Sequence, residues 1–156
     1  MLLTDLFPGR SQDQMQQFSD HMARLMSEAG LPWARHREKT YNSRLAQEMA
    51  AWADTTRPGT DLHDRLYKAY FVDHANLADK DTLVQIAAAS GLDSEAARSV
   101  LDQRSFSEHI DRDWYEARIS GVTGVPTFRA RDLFVVGCQP FEILERFVNH
   151  LKTIDD

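Results

Sequence analysis

The sequence predicts a mainly α (α+β) fold, in which a run of amphipathic helices leads into one short β-hairpin and one closing helix. Three observations carry this reading. Apolar residues recur at helical spacing from Ser11 to Ser120, interrupted by helix-stop signals. After Gly121 the pattern changes to two short apolar runs around a polar turn, and from Phe141 onward a single apolar stripe returns. The 156 residues, 42 % of them hydrophobic, suit one domain with a core of its own. With 27 % charged residues, 7 Gly and 5 Pro, the composition excludes collagen-like, low-complexity and disulfide-scaffold chains.

Ser11, followed by Asp13 and Gln14, reads as the start of a helix whose Phe18, Met22, Leu25 and Met26 share one face until Gly30 ends it. Leu31 to Tyr41, with Pro32 and Trp33, reads as an extended connection or short strand. Asn42-Ser43 caps the next helix, with Leu45, Met49 and Trp52 on its inner face and the breaker Arg57-Pro58-Gly59 after it. Further helices follow at Asp61–Val72, at Asp79–Ser90 before Gly91, from Asp93 through Leu101, and from Phe106 to Ser120, where Gly121 suits the left-handed position past the end. Val125–Phe128 and Leu133–Val136 read as hairpin strands around an Arg129–Asp132 turn, and Pro140 opens the last helix, with Phe141, Ile143, Leu144, Phe147, Val148 and Leu151 on one side. A lone two-stranded ribbon is marginal, so the hairpin must pack on helices or pair with other strands.

Charge and motifs narrow the function. A net charge of −6, with basic residues dispersed, gives no footprint for nucleic acid. No apolar run reaches the roughly 18 residues of a membrane span, so no membrane partner is expected. The six histidines, at 21, 36, 63, 74, 109 and 150, form no close pair with Cys or a second His, so no metal and no cofactor are expected. Asp73-His74 and His109 with Asp111 are acid-base candidates, although solvation is the ordinary role of a helix-end histidine. There is no Gly-x-Ser-x-Gly elbow, phosphate loop or dinucleotide fingerprint. Trp33, Trp52 and Trp114 lie in or beside apolar stripes and read as packing residues, and Arg129 and Arg131 as a solvated turn. Cys138 is the single cysteine: a reactive thiol if the following helix start or a cation lowers its pKa, otherwise a small half-buried hydrophobe. One cysteine and no basic, apolar leader at Met1 make a reducing cytoplasm the expected location.

The stretch Gly121-Val-Thr-Gly-Val-Pro-Thr-Phe128, the strand ending Val135-Val-Gly-Cys-Gln-Pro140, and the amphipathic helix after it resemble the C-terminal signature of the DsbA-like thioredoxin family, in particular its cytoplasmic FrnE-like branch. Leu66–Phe71, Asp81–Ala87 and Gly91–Asp93 are similar to the helical insertion of those proteins. The resemblance implies one DsbA-like domain over 1–156, with the insertion at 42–120 and a thioredoxin-like hairpin and closing helix at 121–156. It further implies a cis peptide before Pro126 and a substrate-binding edge at Val125, Pro126 and Thr127, whose main chain would pair with an extended peptide or with glutathione.

The family's opening strand and Cys-x-x-Cys helix have no counterpart in this sequence, which reads as starting after them. No catalytic residue is therefore carried over, and Cys138 does not align with the family's redox cysteine. Two expectations follow: thiol-disulfide turnover is lost for want of an attacking and resolving pair, and the exposed sheet edge and apolar face are covered in a homodimer. A binding module using the Val125-Pro126 edge is the alternative, and a glutathione-dependent isomerase of the hydroxychromene-carboxylate type, whose activating residue is absent here, is the last.

Overall fold

The computed structural model describes residues 1–2, 5, 7–34 and 37–154. They divide into two compact units, Met1–Ile110 and Asp111–Asp156. No described helix is long and apolar enough to cross a membrane.

The first unit is helical. Helix α1, Gln12–Glu28, begins in a capping box: the Ser11 hydroxyl accepts from the Gln14 N–H at 3.2 Å, and the Gln14 side chain accepts from the Ser11 N–H at 2.9 Å. Only Ala23 of α1 is buried, and Phe18 meets Phe7 at 5.9 Å between ring centroids. The connection after α1 forms no strand among the described residues; an isolated bridge joins Lys39 to Leu2. At α2, Arg44–Thr56, the cap is supplied by Asn42, whose side chain accepts from the Arg44 N–H at 2.8 Å, while Ser43 makes no capping bond. Helices α3, Leu62–Phe71, α4, Lys80–Ala89, and α5, Ser94–Gln103, follow in quick succession. Asp79 and Asp93 cap α4 and α5 by accepting the N–H groups of Thr82 and Ala96, each at 2.8 Å. Helix α6, Ser107–Ile119, begins in this unit.

The core sits where α2, α3, α4 and α5 pack on one another. Met49, Ala53, Leu62, Leu83, Ala87, Ala97 and Leu101 are wholly buried there, and Trp52 joins them as its place on the α2 stripe requires. Glu48 is fully buried beside these side chains, ion-paired to Arg44 on its own helix and to Arg104, which ends α5 in the left-handed region.

The second unit holds the rest of α6, strands β1, Thr127–Ala130, and β2, Leu133–Val136, and helix α7, Phe141–Thr153. The strands are antiparallel in the register Thr127↔Val136 to Ala130↔Leu133, a two-stranded sheet among the described residues. Helix α6 closes in a Schellman motif, in which the Val122 N–H reaches the Ala117 carbonyl at 3.0 Å and the Gly121 N–H the Arg118 carbonyl at 3.1 Å. That motif needs the φ of +77° that Gly121 adopts. None of the unit's described residues is buried, and the half-buried Ile143, Leu144, Phe147 and Leu151 leave Phe141 72 % exposed and Val148 46 %.

Two expectations are corrected here. The hairpin turn is not Arg129–Asp132: Arg129 and Ala130 belong to β1, which runs Thr127–Ala130 rather than Val125–Phe128. The two-residue loop Arg131-Asp132 suffices because Arg131 takes a φ of +55°, the conformation that glycine usually supplies and whose absence made a longer turn the natural reading. Trp114 is 47 % exposed rather than a core residue: helical spacing gave it an apolar stripe, but no described residue of its unit is buried.

Candidate functional site

The register of the hairpin builds the candidate site at the start of β1. Beyond the Thr127↔Val136 pair, the Gly137 N–H donates to the Pro126 carbonyl at 2.8 Å, which extends the ladder by one bond. Gly137 sits at φ +88°, and a β-carbon there would stand 3.5 Å from the Gln139 side-chain nitrogen, which itself donates to the Val136 carbonyl at 2.8 Å. Gly137 and Gln139, part of the Val135–Pro140 motif but with no role assigned to them by the sequence, come to this end of the ladder through the two-residue turn.

On the other side, the Thr127 hydroxyl donates to the Gly124 carbonyl at 2.6 Å, closing the loop 124–127 on itself. The Val125–Pro126 peptide is cis. Val125 is 88 % exposed, and neither its N–H nor its carbonyl has a hydrogen-bond partner among the described residues. Pro126 is also exposed, while Thr127 is half-buried.

Cys138 is an exposed free thiol one residue beyond Gly137, at the same end of the ladder as Pro126, and it precedes Pro140, the N-cap of α7. Val125, Pro126, Thr127 and Cys138 thus gather at one end of the hairpin. His74 and His109 lie in the first unit, away from this loop in the chain. At the opposite end, the Arg129 guanidinium lies over Phe134 at 5.3 Å from its centroid and donates to the Arg131 carbonyl at 3.1 Å.

In chemical terms, the loop offers one main-chain donor, one main-chain acceptor and one thiol. A free main-chain N–H and C=O can pair with a strand-like ligand. No group of three or more His, Cys, Asp or Glu side chains that could hold a metal occurs among the described residues.

Comparison with known proteins identifies the family of the chain. The family model of the DSBA-like thioredoxin domain matches residues 4–149. The chain is similar to a probable DsbA oxidoreductase from Streptomyces coelicolor, with 29 % identity and a TM-score of 0.80 over 91 % of this chain and 62 % of that one. It also shares the fold of a provisionally named protein disulfide isomerase from Nitrosomonas europaea, with 14 % identity and a TM-score of 0.71, covering 94 % of this chain and 78 % of the other. An uncharacterised protein, YwbO, of Bacillus subtilis is 27 % identical over 108 residues, 67 % of this chain and 53 % of that protein. The chain therefore spans little more than half the length of this curated relative.

Proposed function

Because the chain belongs to the DSBA-like thioredoxin domain family, whose mainly helical fold it shares with disulfide oxidoreductases, we propose that it docks an extended peptide or glutathione at Val125, Pro126 and Thr127 without carrying out thiol-disulfide exchange by itself. The observation that supports docking is the pair of unpartnered main-chain groups on the 88 %-exposed Val125. An added strand would satisfy both groups and leave side-chain selection to whatever flanks it.

Lack of turnover follows from chemistry. Exchange proceeds by thiolate attack on a disulfide to give a mixed disulfide, and a second thiol must then attack that bond to release the product. Cys138 is the chain's single cysteine, so it could be trapped in the first step but not resolve it. Placement in the FrnE-like branch rests on the likeness of the Gly121–Phe128 stretch, and a cytoplasmic location on the low cysteine count. A homodimer is part of the same reading, because the second unit buries none of its described residues and leaves Phe141 72 % exposed.

The test has two arms. In an insulin-type disulfide reduction assay the chain is expected to show no catalytic turnover, and Cys138→Ser no change. Turnover that Cys138→Ser abolishes would overturn the non-catalytic part. In calorimetric titrations with glutathione and with short extended peptides, binding is expected together with slowed amide exchange at Val125. Binding that leaves the Val125 amide unprotected, or no binding to either ligand, would overturn the docking part.

A further inference from the structure

The first unit contains a basic cavity that the hairpin chemistry does not use. It measures about 260 Å³ and is lined by Arg37, Glu38, Lys39, Tyr41 and His74. Sites for drug-sized ligands run to roughly 300–1,000 Å³, so this one suits a small molecule. Two fixed cations, one carboxylate, an imidazole and a phenol line it, a donor-rich set with a positive balance.

The donors lack partners. The Arg37 Nη1 and His74 Nε2 atoms are shielded from water and have no hydrogen bond. Neither Arg37 nor Lys39 is ion-paired among the described residues, although Glu38 lies between them in sequence. Buried polar atoms in folded proteins are nearly always satisfied, and these two orphans belong to residues that line the cavity, so a polar ligand there that draws the two side chains outward would supply what the fold leaves unmet.

The surrounding structure holds the arginine in place. Its guanidinium stacks 4.2 Å from the Tyr70 ring centroid and 5.4 Å from that of Phe71. Tyr70 is fixed through its hydroxyl, 2.9 Å from that of Thr40, and Phe71 stacks on Trp33 at 5.7 Å. His74 is held at φ +54°, a conformation uncommon for a residue with a side chain and found preferentially where a fold positions a group for use.

We propose that this cavity binds a small phosphate-bearing molecule, with Arg37, His74 and Lys39 donating to the phosphate oxygens. Phosphate fits better than a carboxylate because its terminal oxygens can accept from three separate side chains while its charge matches the fixed cations.

Isothermal titration of the whole chain with inorganic phosphate at constant ionic strength tests this, with acetate and chloride as matched arms. Saturable binding of phosphate is expected, with weaker or no binding of acetate. Arg37→Met keeps the apolar stem on Tyr70 but removes the donors, and is expected to weaken phosphate binding by about tenfold or more. His74→Asn, which tolerates the same backbone, is expected to weaken it to a smaller degree, and Lys152→Met in the other unit to leave it unchanged. Far-UV circular dichroism checks that each variant is folded; if Arg37→Met is not, the His74→Asn result decides. No saturable binding, acetate binding as tight as phosphate, or phosphate binding unaffected by both cavity substitutions would overturn the proposal.

Discussion

Replacing the buried Glu48 by glutamine probes the center of the first unit while keeping the side chain's shape. The carboxylate accepts from Arg44 Nε at 3.0 Å and from Arg104 Nε and Nη2 at 2.8 and 2.6 Å, and Arg44 Nη2 goes on to the Ser107 carbonyl at 2.8 Å. The cluster thus ties α2 to the end of α5 and the start of α6. Hydrogen bonds to charged groups contribute about 1.5–3 kcal/mol each, and breaking one side of a buried ion pair costs roughly 3–5 kcal/mol. Both figures need discounting here, because the Arg104 side chain is 45 % exposed and can rehydrate, whereas Arg44 is 16 % exposed and cannot do so fully. Glutamine keeps one carbonyl acceptor but turns a donor toward a guanidinium, so the expected loss is about 2–3 kcal/mol, or roughly 10 °C in the melting midpoint of a unit this size.

The same substitution has a pH signature. Hydrogen bonding from Arg104, opposed by burial and reinforced by Arg44, holds the Glu48 carboxyl below its ordinary 4.5. A carboxylate lowered in the folded state contributes stability that is fully present above the unfolded value and fades as pH falls through the folded one. The gap between the native chain and Glu48→Gln should therefore narrow on acidification. Urea unfolding followed by tryptophan fluorescence and circular dichroism, from neutral pH into the acid range, measures both effects. A loss under about 0.5 kcal/mol at neutral pH, the scale of an ordinary surface change, or a gap that stays constant with acid, would refute the reasoning.

Three more outcomes are expected. Asp79→Ala should lower the melting midpoint by uncapping α4; because the Thr82 N–H and hydroxyl hold the Asp79 carboxyl below its usual range, this difference should be full above that range and fade as pH falls through the lowered value, while Asp79→Asn retains much of the cap without the acid dependence, both read by thermal melts across pH. Gly121→Ala should cost roughly 1–2 kcal/mol from backbone conformation alone, measured by chemical denaturation, since an added β-carbon would meet Phe134 only at an ordinary 3.9 Å. If the second unit pairs with a copy of itself, Phe141→Ser should shift sedimentation toward the monomer with little change in the unfolding of the first unit, and an unchanged sedimentation profile would count against that dimer.

The helices were legible because their signals are local. Ser11 with Gln14, Asp79 with Thr82 and Asp93 with Ala96 each close a hydrogen bond within three residues, and Gly121 marks a stop that only its own backbone has to satisfy. Met49 and Trp52 were readable as core from helical spacing. The motif Gly121–Phe128 also carried the family resemblance that the comparison with known proteins establishes.

What tertiary structure decided were the contacts between residues far apart in the chain. Glu48 looks like any charged helix residue until α5 brings Arg104 over it. The sequence equally offered no sign that Arg131 would take the left-handed turn position, which sets the strand register and delivers Gly137 to Pro126. Nor could spacing bring His74 to Arg37, or distinguish the buried Trp52 from the exposed Trp114. Periodicity fixes which face of a helix is apolar, but whether that face is covered depends on a neighbour whose position no local rule contains.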